Sequence, residues 1–299
     1  MTGTLRLGVI GTDTSHLPTF AERINTLRDA GKTRCRITQS WTDGRHVMPM
    51  EHVTTWNEKA CALGVEPADD LDAMLETVDG VLVLSVDGNR HLEHARPALT
   101  RGLPTYSDMP LACSLTDARA IQHLVDEHGA RCYSASSLRF VTEIDKLDRD
   151  ALGPIVSVDA VGPGELNDTM EGLFFYGVHA VELVDQILGP GVKRVSAITL
   201  PDRDLVRLEY HDGRFASLRL DRKASYTFGA IVHGEKDLTS FTVDFEPVYA
   251  RLVTRMCNFF EGGDLPVALA NLVENVAVMQ AGNLSMRRDG AWVELTEIE

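Results

Sequence analysis

The sequence predicts two domains of different architecture. In the first half, short apolar stretches alternate with helical stretches, which is the pattern of a doubly wound α/β domain with a parallel sheet. In the second half, longer β-rich stretches follow one another, which predicts an α+β domain built on an open, mainly antiparallel sheet. The change falls near residue 141, so we expect domains at 1–141 and 142–299 of the 299-residue chain.

The first half consists of repeated strand–helix units. Residues 80–86 (GVLVLSV) are apolar except for Ser85, as expected for a strand inside a parallel sheet. Asp69 or Asp70 is a candidate cap for one helix, and Ser114 or Thr116 for another. Strands are predicted at 5–10, 35–41, 64–66, 80–86, 104–108 and 131–137, and helices at 17–30, 54–63, 67–78, 91–102 and 114–129.

The second half is dominated by longer strands. Asp212-Gly213 is a typical hairpin pair, so residues 205–220 are expected to form two paired strands. Further strands are predicted at 155–161, 194–200 and 228–243, and helices at 171–188, 247–262 and 267–288.

Composition narrows the classes of partner. With 44 acidic against 29 basic residues the formal net charge is −15, which argues against nucleic acid or an anionic membrane surface. The five cysteines are widely spaced and form no C-x-x-C pair, so neither a disulfide framework nor a structural zinc site is expected. His91 and His94 could share a metal, but no third ligand is evident, and we expect none. No secretion signal or membrane span is evident, which predicts a cytoplasmic protein.

The stretch RLGVIGTDTSH, residues 6–16, has the strand–turn–helix layout of a dinucleotide-binding turn. Of the three glycines in G-x-G-x-x-G only Gly11 is present, while Asp13 and His16 hold the second and third positions. The hydroxyls and amides of Thr12, Thr14 and Ser15 would still suit an anion at the start of a helix. Asp13 has two interpretations, a cap of the first helix or a contact to cofactor or substrate.

A Rossmann half followed by an open antiparallel sheet resembles the Gfo/Idh/MocA family, named for glucose–fructose oxidoreductase and inositol dehydrogenase. The resemblance rests on the first turn and on GLPTYSDMPLACSLTDA (102–118), SSLRF (136–140), LGPIVSV (152–158) and YGVHAVELVDQILG (176–189). It implies NAD or NADP in the first domain, hydride transfer, and a sugar, inositol or related small molecule as substrate. It also implies a homodimer or homotetramer.

The resemblance assigns roles and exposes departures. In the family, the lysine of E-K-P and the histidine of G-x-H serve proton transfer. Here Met109 replaces the lysine and can contribute only shape, whereas His179 retains the acid/base position. Phe175 stands where an aspartate is common. Asp108 and Tyr106 flank the altered position and could substitute in part for the lysine.

The remaining candidates are contacts to ligands. Asp43, two residues beyond the expected end of the second strand, is the candidate for the ribose hydroxyls. Asn89 and His91 follow the fourth strand at its carboxyl end, where ligands of such sheets collect. Arg139 could bind an anionic substrate group or form an interdomain salt bridge, and Tyr176 lies beside His179 in the sequence.

The sequence favours an oxidoreductase of altered active site that acts on a small polar substrate, with two other classes open. One is a non-redox enzyme, such as a lyase, cyclase or isomerase, that uses Asp13, His16 and His179 without a cofactor. The other is a catalytically silent ligand-binding or regulatory protein. Retention of His179 favours chemistry, whereas the missing lysine and glycines argue against the family's usual chemistry.

Overall fold

The computed structural model describes residues 3–298, which pack as two compact units. The first unit runs to Ala112 and also contains Asp117–Ala135 and Ala250–Leu269. The second contains Cys113–Thr116, Ser136–Tyr249 and the chain from Ala270 onwards. The expected boundary at residue 141 stays a prediction, although one segment of the expected second domain packs in the first unit.

The first unit is built on a six-stranded parallel sheet in the order β3-β2-β1-β4-β5-β6. This order confirms the doubly wound Rossmann architecture. The strands are β1 (Leu5–Ile10), β2 (Cys35–Trp41), β3 (Glu66–Pro67), β4 (Gly80–Val83), β5 (Thr105–Ser107) and β6 (Cys132–Ser134).

Helices connect these strands as the apolar spacing predicts. Asp70 caps the third helix by accepting a hydrogen bond from the amide of Ala73, which confirms one of the two candidate caps. The helices are α1 (His16–Asp29), α2 (Met50–Ala62), α3 (Leu71–Thr77), α4 (His91–Leu99) and α5 (Leu115–His128).

The second unit is built on a seven-stranded mixed sheet in the order β12-β11-β7-β10-β9-β8-β13. Its pairs are antiparallel except β7 with β10, so the expected open, mainly antiparallel sheet is confirmed with one parallel pair. The strands are β7 (Ile155–Pro163), β8 (Val192–Leu200), β9 (Arg203–Tyr210), β10 (Phe215–Asp221), β11 (Gly229–Gly234), β12 (Leu238–Thr242) and β13 (Val293–Glu294). Its helices are α6 (Thr142–Asp145), α7 (Arg149–Leu152), α8 (Gly177–Leu188) and α10 (Leu269–Arg287). The helix between the last two, α9 (Val248–Phe260), is described below.

Two predicted elements are shorter than expected. The helix predicted at 171–188 begins only at Gly177, because Gly172 has a φ of +50° and breaks the chain there into a 3-10 turn. A Cβ at Gly172 would lie 2.3 Å from the Asn283 side-chain oxygen, so the turn is tightly packed. The strand predicted at 80–86 ends at Val83, where the chain turns away beside Gly11.

The helix α9 (Val248–Phe260) lies mostly in the segment that returns to the first unit. The ring of Phe259 packs edge-on against Tyr133 at 4.8 Å, and Phe260 fills the space that a side chain at Gly80 would need. Burial of these aromatic rings explains why the segment packs with the parallel sheet. Between residues 3 and 298, no helix is long and apolar enough to cross a membrane.

Candidate active site

Gly11 forms the turn that leaves β1 at the point where the strand order reverses between β1 and β4. Its φ is +90°, and a Cβ there would lie 2.4 Å from the backbone nitrogen of Ser85. Only glycine satisfies both conditions. The first position of the dinucleotide fingerprint is therefore kept for a physical reason.

Asp13 connects two loops and does not cap a helix. Its carboxylate accepts hydrogen bonds from the amides of Val47 at 2.9 Å and Val86 at 3.2 Å. These residues lie in the loops after β2 and β4. The cap position of α1 belongs to Ser15, which makes no side-chain capping bond, so the cap interpretation of Asp13 is wrong. Asp13 stays a candidate for contact with a cofactor, although its carboxylate already accepts hydrogen bonds from two backbone amides.

The other candidates in this turn differ in exposure. Thr12 and Thr14 are buried, whereas Ser15 is exposed. The hydroxyl of Thr14 accepts a hydrogen bond from the amide of His16, and the carbonyl of Thr12 accepts one from Asn57. Ser15 is therefore the hydroxyl of this turn that a ligand can reach.

Asp43 lies beyond β2, and its carboxylate is held by Arg90 and by Arg45. Arg90 also lies 2.7 Å from the ring of His94, and burial together with the neighbouring arginine lowers the pKa of His94 to about 4. A ribose contact from Asp43 would have to share a carboxylate that already belongs to an ion-pair cluster. The described residues contain no group of three metal-ligating side chains.

His16 and Asp108 form a close polar pair at this edge of the sheet. His16 is the first residue of α1, Asp108 directly follows β5, and Nδ1 lies 2.5 Å from Oδ2. Their side chains are 18% and 9% exposed. The Tyr106 hydroxyl donates to the other Asp108 oxygen at 2.9 Å, so Tyr106, itself fully buried, acts on the site only through Asp108.

The pKa values of this pair move in opposite directions. Burial alone would lower the pKa of His16, but the charge and hydrogen bond of Asp108 outweigh it and raise the pKa. Burial alone would raise the pKa of Asp108, but His16, followed by the Tyr106 hydroxyl, lowers it. The pair therefore favours an imidazolium beside a carboxylate.

Three further candidates of the first unit take different positions. Met109 is half-buried beside this pair in sequence, and its amide donates to Asp108. Asn89 is exposed and its side chain bonds Asp87. His91 is fully buried, with its ring nitrogens 2.7 and 2.8 Å from the carbonyls of Pro110 and Ser85. The prediction that His91 contacts a substrate is therefore wrong, because both of its ring nitrogens contact backbone carbonyls.

His179 is half-buried in the first turn of α8, in the second unit. Its Nδ1 lies 2.8 Å from the hydroxyl of Ser136, a fully buried residue. The rings of Tyr176 and Phe228 stand edge-on to the imidazole at 5.5 and 5.7 Å. The imidazole is therefore fixed by one polar contact and two aromatic faces.

Tyr176 also contacts a second tyrosine. Its hydroxyl lies 3.1 Å from that of Tyr226, whose ring is 58% exposed. Burial, followed by this hydrogen bond, raises the pKa of Tyr176, so its hydroxyl stays protonated. The surroundings of His179 thus include two aromatic rings and the hydroxyl of Ser136.

Arg139 is buried and bound within its own unit. Its Nε lies 2.6 Å from Glu182 and its Nη1 2.7 Å from Asp185, both on α8. Arg139 therefore forms a salt bridge to residues beyond the expected boundary at 141, although all three residues pack in one unit. Direct contact of Arg139 with a substrate stays a prediction that its burial disfavours. Burial raises the pKa of Glu182 against the opposing charge of Arg139.

Sequence reasoning missed Glu182 and Ser136. Glu182 accepts hydrogen bonds from Arg139 and from the amide of Ser136 at 2.8 Å, and so holds the residue that contacts His179. A signal was present, because Glu182 and Asp185 are acids on an otherwise apolar helix and follow His179 by three and six residues. Ser136 had no comparable signal, since serines are frequent after strands.

The family comparison matches the first unit. The model of GFO_IDH_MocA, an oxidoreductase family with an NAD-binding Rossmann fold, matches residues 5–136. Residues 5–136 belong to the Gfo/Idh/MocA oxidoreductase family. The resemblance is thereby confirmed, as is the nicotinamide cofactor class at the level of the family. A search of curated proteins finds no match.

Solved structures share the fold of this chain over nearly its whole length. GenD2 from gentamicin A biosynthesis, in complex with NAD, has a TM-score of 0.82 at 20% identity, covering 98% of this chain and 97% of its own. An NAD-binding oxidoreductase from Klebsiella pneumoniae gives 0.79 at 16%, covering 98% and 99%. The scyllo-inositol dehydrogenase from Lactobacillus casei, with NAD(H) and scyllo-inositol, gives 0.77 at 16%, also covering 98% and 99%. These similarities establish the two-part fold.

A dinucleotide fits the first turn in part. At Gly11 the first turn passes so close to the backbone of Ser85, just after β4, that no side chain fits. A tight turn of this kind is part of the dinucleotide site of a Rossmann fold. Ser15 and the start of α1 offer polar groups for the pyrophosphate. Asp13 and Asp43, in contrast, already have their carboxylates bound by protein donors.

Proposed function

We propose that the chain is an NAD(P)-dependent oxidoreductase with an altered active site that acts on a small polar substrate. The observation that carries this proposal is the Gly11 turn at the strand-order reversal, where a Cβ would lie 2.4 Å from Ser85. In the dinucleotide fingerprint the first glycine forms this tight turn, which leads the chain into the pyrophosphate site. The family match of residues 5–136 supports the same conclusion.

Residues of the first unit would hold the cofactor. Gly11, Thr12 and Ser15 would contact the pyrophosphate. Asp43 would contact the ribose only if its carboxylate accepted the ribose hydroxyls while it stays paired with Arg90. When bound, the nicotinamide would supply the exchange of hydride. Met109 carries no proton, so the substrate bond that reacts is one that places light demands on the missing lysine, such as a carbon–nitrogen or a conjugated double bond.

His179 is the proposed acid/base of the second unit. Its contact with the Ser136 hydroxyl orients the ring, and the imidazole is the group that would exchange a proton with a substrate. Tyr176 contributes a protonated hydroxyl beside this ring, and Arg139 stabilises the helix that carries it. Each group acts within its own unit in this proposal.

Asp13 favours a second candidate function, a lyase, cyclase or isomerase that works without a cofactor. Its carboxylate spans the loops after β2 and β4 with two hydrogen bonds, in the fingerprint position that a glycine normally keeps open. Negative charge there opposes a pyrophosphate. The two candidates differ in one measurable property, the binding of a dinucleotide.

The deciding experiment measures that binding directly. Native mass spectrometry of the purified protein and fluorescence titration with NADH and NADPH are expected to give a one-to-one complex. Gly11→Ala should weaken binding by about tenfold or more, which corresponds to about 1.4 kcal/mol. Gly31→Ala is the matched control, because Gly31 has a φ of +70° and nothing within 4 Å of its Cβ position.

The outcomes separate the candidates. Binding in the wild type and in Gly31→Ala, but not in Gly11→Ala, supports the oxidoreductase. No binding of either dinucleotide at millimolar concentration to a folded wild type contradicts it and favours cofactor-free chemistry. His179→Ala should then lower turnover by about 10²–10⁴-fold under either candidate. Full activity of a folded His179→Ala would exclude His179 from both.

A further inference from the structure

The fold keeps a proton-carrying group at the edge of the sheet where the lysine is missing. Met109 follows Asp108 at the end of β5 and cannot exchange a proton. Asp108 contacts a histidine from another element, His16, at 2.5 Å. We propose that His16, held by Asp108, is the catalytic proton carrier that replaces the lysine, an inference that rests on the proposed oxidoreductase function.

The pair is positioned from two sides of the sheet edge. The strand β4 lies between β1 and β5, so the start of α1 and the end of β5 meet across it. The imidazole stacks on Phe20, one turn along α1, at a centroid distance of 4.9 Å. The Tyr106 hydroxyl fixes the second oxygen of Asp108. These contacts fix both the orientation and the position of the imidazole, as a catalytic group requires.

The charge of the pair is set by its surroundings. The start of a helix disfavours a cation, and burial of the ring disfavours it further. Asp108 opposes both effects and is the charge that raises the pKa of His16. The other titratable groups that act on Asp108 are Tyr106, through its hydrogen bond, and His91, through its charge. The surroundings therefore favour the imidazolium form of this partly exposed ring.

The proton step balances in the direction of substrate reduction. When bound, reduced nicotinamide would supply hydride to the carbon of a carbon–nitrogen double bond, and the electron pair of that bond would move to the nitrogen. The Nε2–H bond of His16 would break, its electrons would stay on the ring, and an N–H bond would form on the substrate. Nδ1–H remains bonded to Asp108, and solvent returns the proton to Nε2. Oxidation reverses each step.

The first test uses the protein without any ligand, so it does not depend on turnover. The ring protons of His16 are followed by NMR from acidic to alkaline pH in the wild type, with His16→Gln to assign the signal. The wild-type histidine should titrate above the ordinary value of about 6.5, and Asp108→Asn should lower the pH at which it titrates. Titration at or below the ordinary value in the wild type would overturn the proposal.

The second test separates a catalytic from a structural role. His16→Gln should lower the rate of substrate reduction by about 100-fold with unchanged dinucleotide affinity. Asp108→Asn should move the alkaline limb of the pH–rate profile to lower pH. His123→Gln is the control, because His123 is 76% exposed on α5, where it pairs with Glu127.

Failure of this inference differs from failure of the proposed function. If dinucleotide binds and the wild type turns over, but His16→Gln keeps its rate and its pH profile, only the role of His16 falls. If His16→Gln and Asp108→Asn lower thermal stability without changing the pH profile, the pair is structural and the inference again falls. If no dinucleotide binds, the proposed function falls first, and proton donation during hydride transfer falls with it.

Discussion

Replacement of Asp13 by Asn or by Gly tests whether the carboxylate in the first turn is structural, electrostatic or both. The side chain is buried, and it accepts two backbone hydrogen bonds from loops that follow different strands. An Asn side chain fits the same space, but its amide group cannot accept from both donors at once. In Asp13→Asn, the backbone amide of Val47 or of Val86 therefore faces the NH₂ group of the new side chain, which is a donor and cannot accept its hydrogen bond.

The expected loss of stability follows from that count. A buried donor left unsatisfied costs about 1–3 kcal/mol, and the two amides are half-buried, so a loss of about 1–2 kcal/mol is expected for Asp13→Asn. In a protein of this size the melting temperature should fall by about 2–4 °C per kcal/mol. Asp13→Gly loses both bonds and should melt lower still.

The expected gain in affinity follows from Coulomb's law. A carboxylate about 5 Å from one charge of a pyrophosphate costs about 1–2 kcal/mol at an effective dielectric of 40–80. Removal of that charge in Asp13→Asn should strengthen dinucleotide binding about tenfold, since 1.4 kcal/mol is a factor of ten. The gain should shrink as salt concentration rises, because screening weakens the repulsion it removes.

Calorimetric titration of NAD⁺ and NADP⁺ at low and high salt, beside thermal melts of the same proteins, measures both effects. A lower melting temperature with no gain in affinity would make Asp13 purely structural and refute the electrostatic argument. An unchanged melting temperature would refute the hydrogen-bond count.

Four further predictions follow from other parts of the molecule. Because Met109 assists no hydroxyl proton, the wild type should give weak or no NAD(P)⁺ reduction with simple polyols at neutral pH, and robust reduction would contradict the loss of the lysine. Ser136→Ala should lower turnover and alter the pH–rate profile by freeing the His179 ring, with Ser136→Thr restoring the wild-type profile; an unaltered profile in Ser136→Ala would show that the contact is incidental. Arg139→Met should destabilise the protein by about 3–5 kcal/mol, because it leaves two buried carboxylates without their cation, and a denaturation midpoint near that of the wild type would contradict this. The raised pKa of His16 adds stability that is full below its unfolded value of about 6.5 and is lost as pH rises through the folded value, so the stability gap between the wild type and His16→Gln should narrow from pH 6 to 9.

Much of the fold was predictable from local patterns, because each depends on neighbouring residues in the chain. The apolar residues of β1 and β4 and the Asp70 cap all follow from sequence-local rules. The parallel pairing of β7 with β10 was not predictable in this way, since it joins segments more than fifty residues apart. The late start of α8 depends on the packing of Gly172 against Asn283, and these two residues are also far apart in the sequence.

The candidate site divides along the same line. Gly11 and His179 were identified because a motif gives them fixed neighbours. The partners that define their chemistry were not, because they come from other elements. One interpretation of Asp13 placed its bonds at the start of the first helix, whereas its carboxylate bonds Val47 and Val86. The salt bridge considered for Arg139 had no named partner, and the structure supplies two acids of α8.

The cost of the His16–Asp108 pair argues that it does more than stabilise the fold. Removal of two charges from water costs several kcal/mol per ion before their attraction is counted, and a well-packed apolar pair of similar size is often at least as stable. Met109 shows that an apolar side chain is tolerated at this edge of the sheet. A cation at the start of α1 is also in the position that the helix dipole disfavours. An arrangement that is unfavourable on three counts, in the place where the family carries its proton-transferring lysine, is better explained by chemistry than by packing. The same reasoning makes Tyr106 a supporting group, because its buried hydroxyl donates a hydrogen bond to the carboxylate of Asp108.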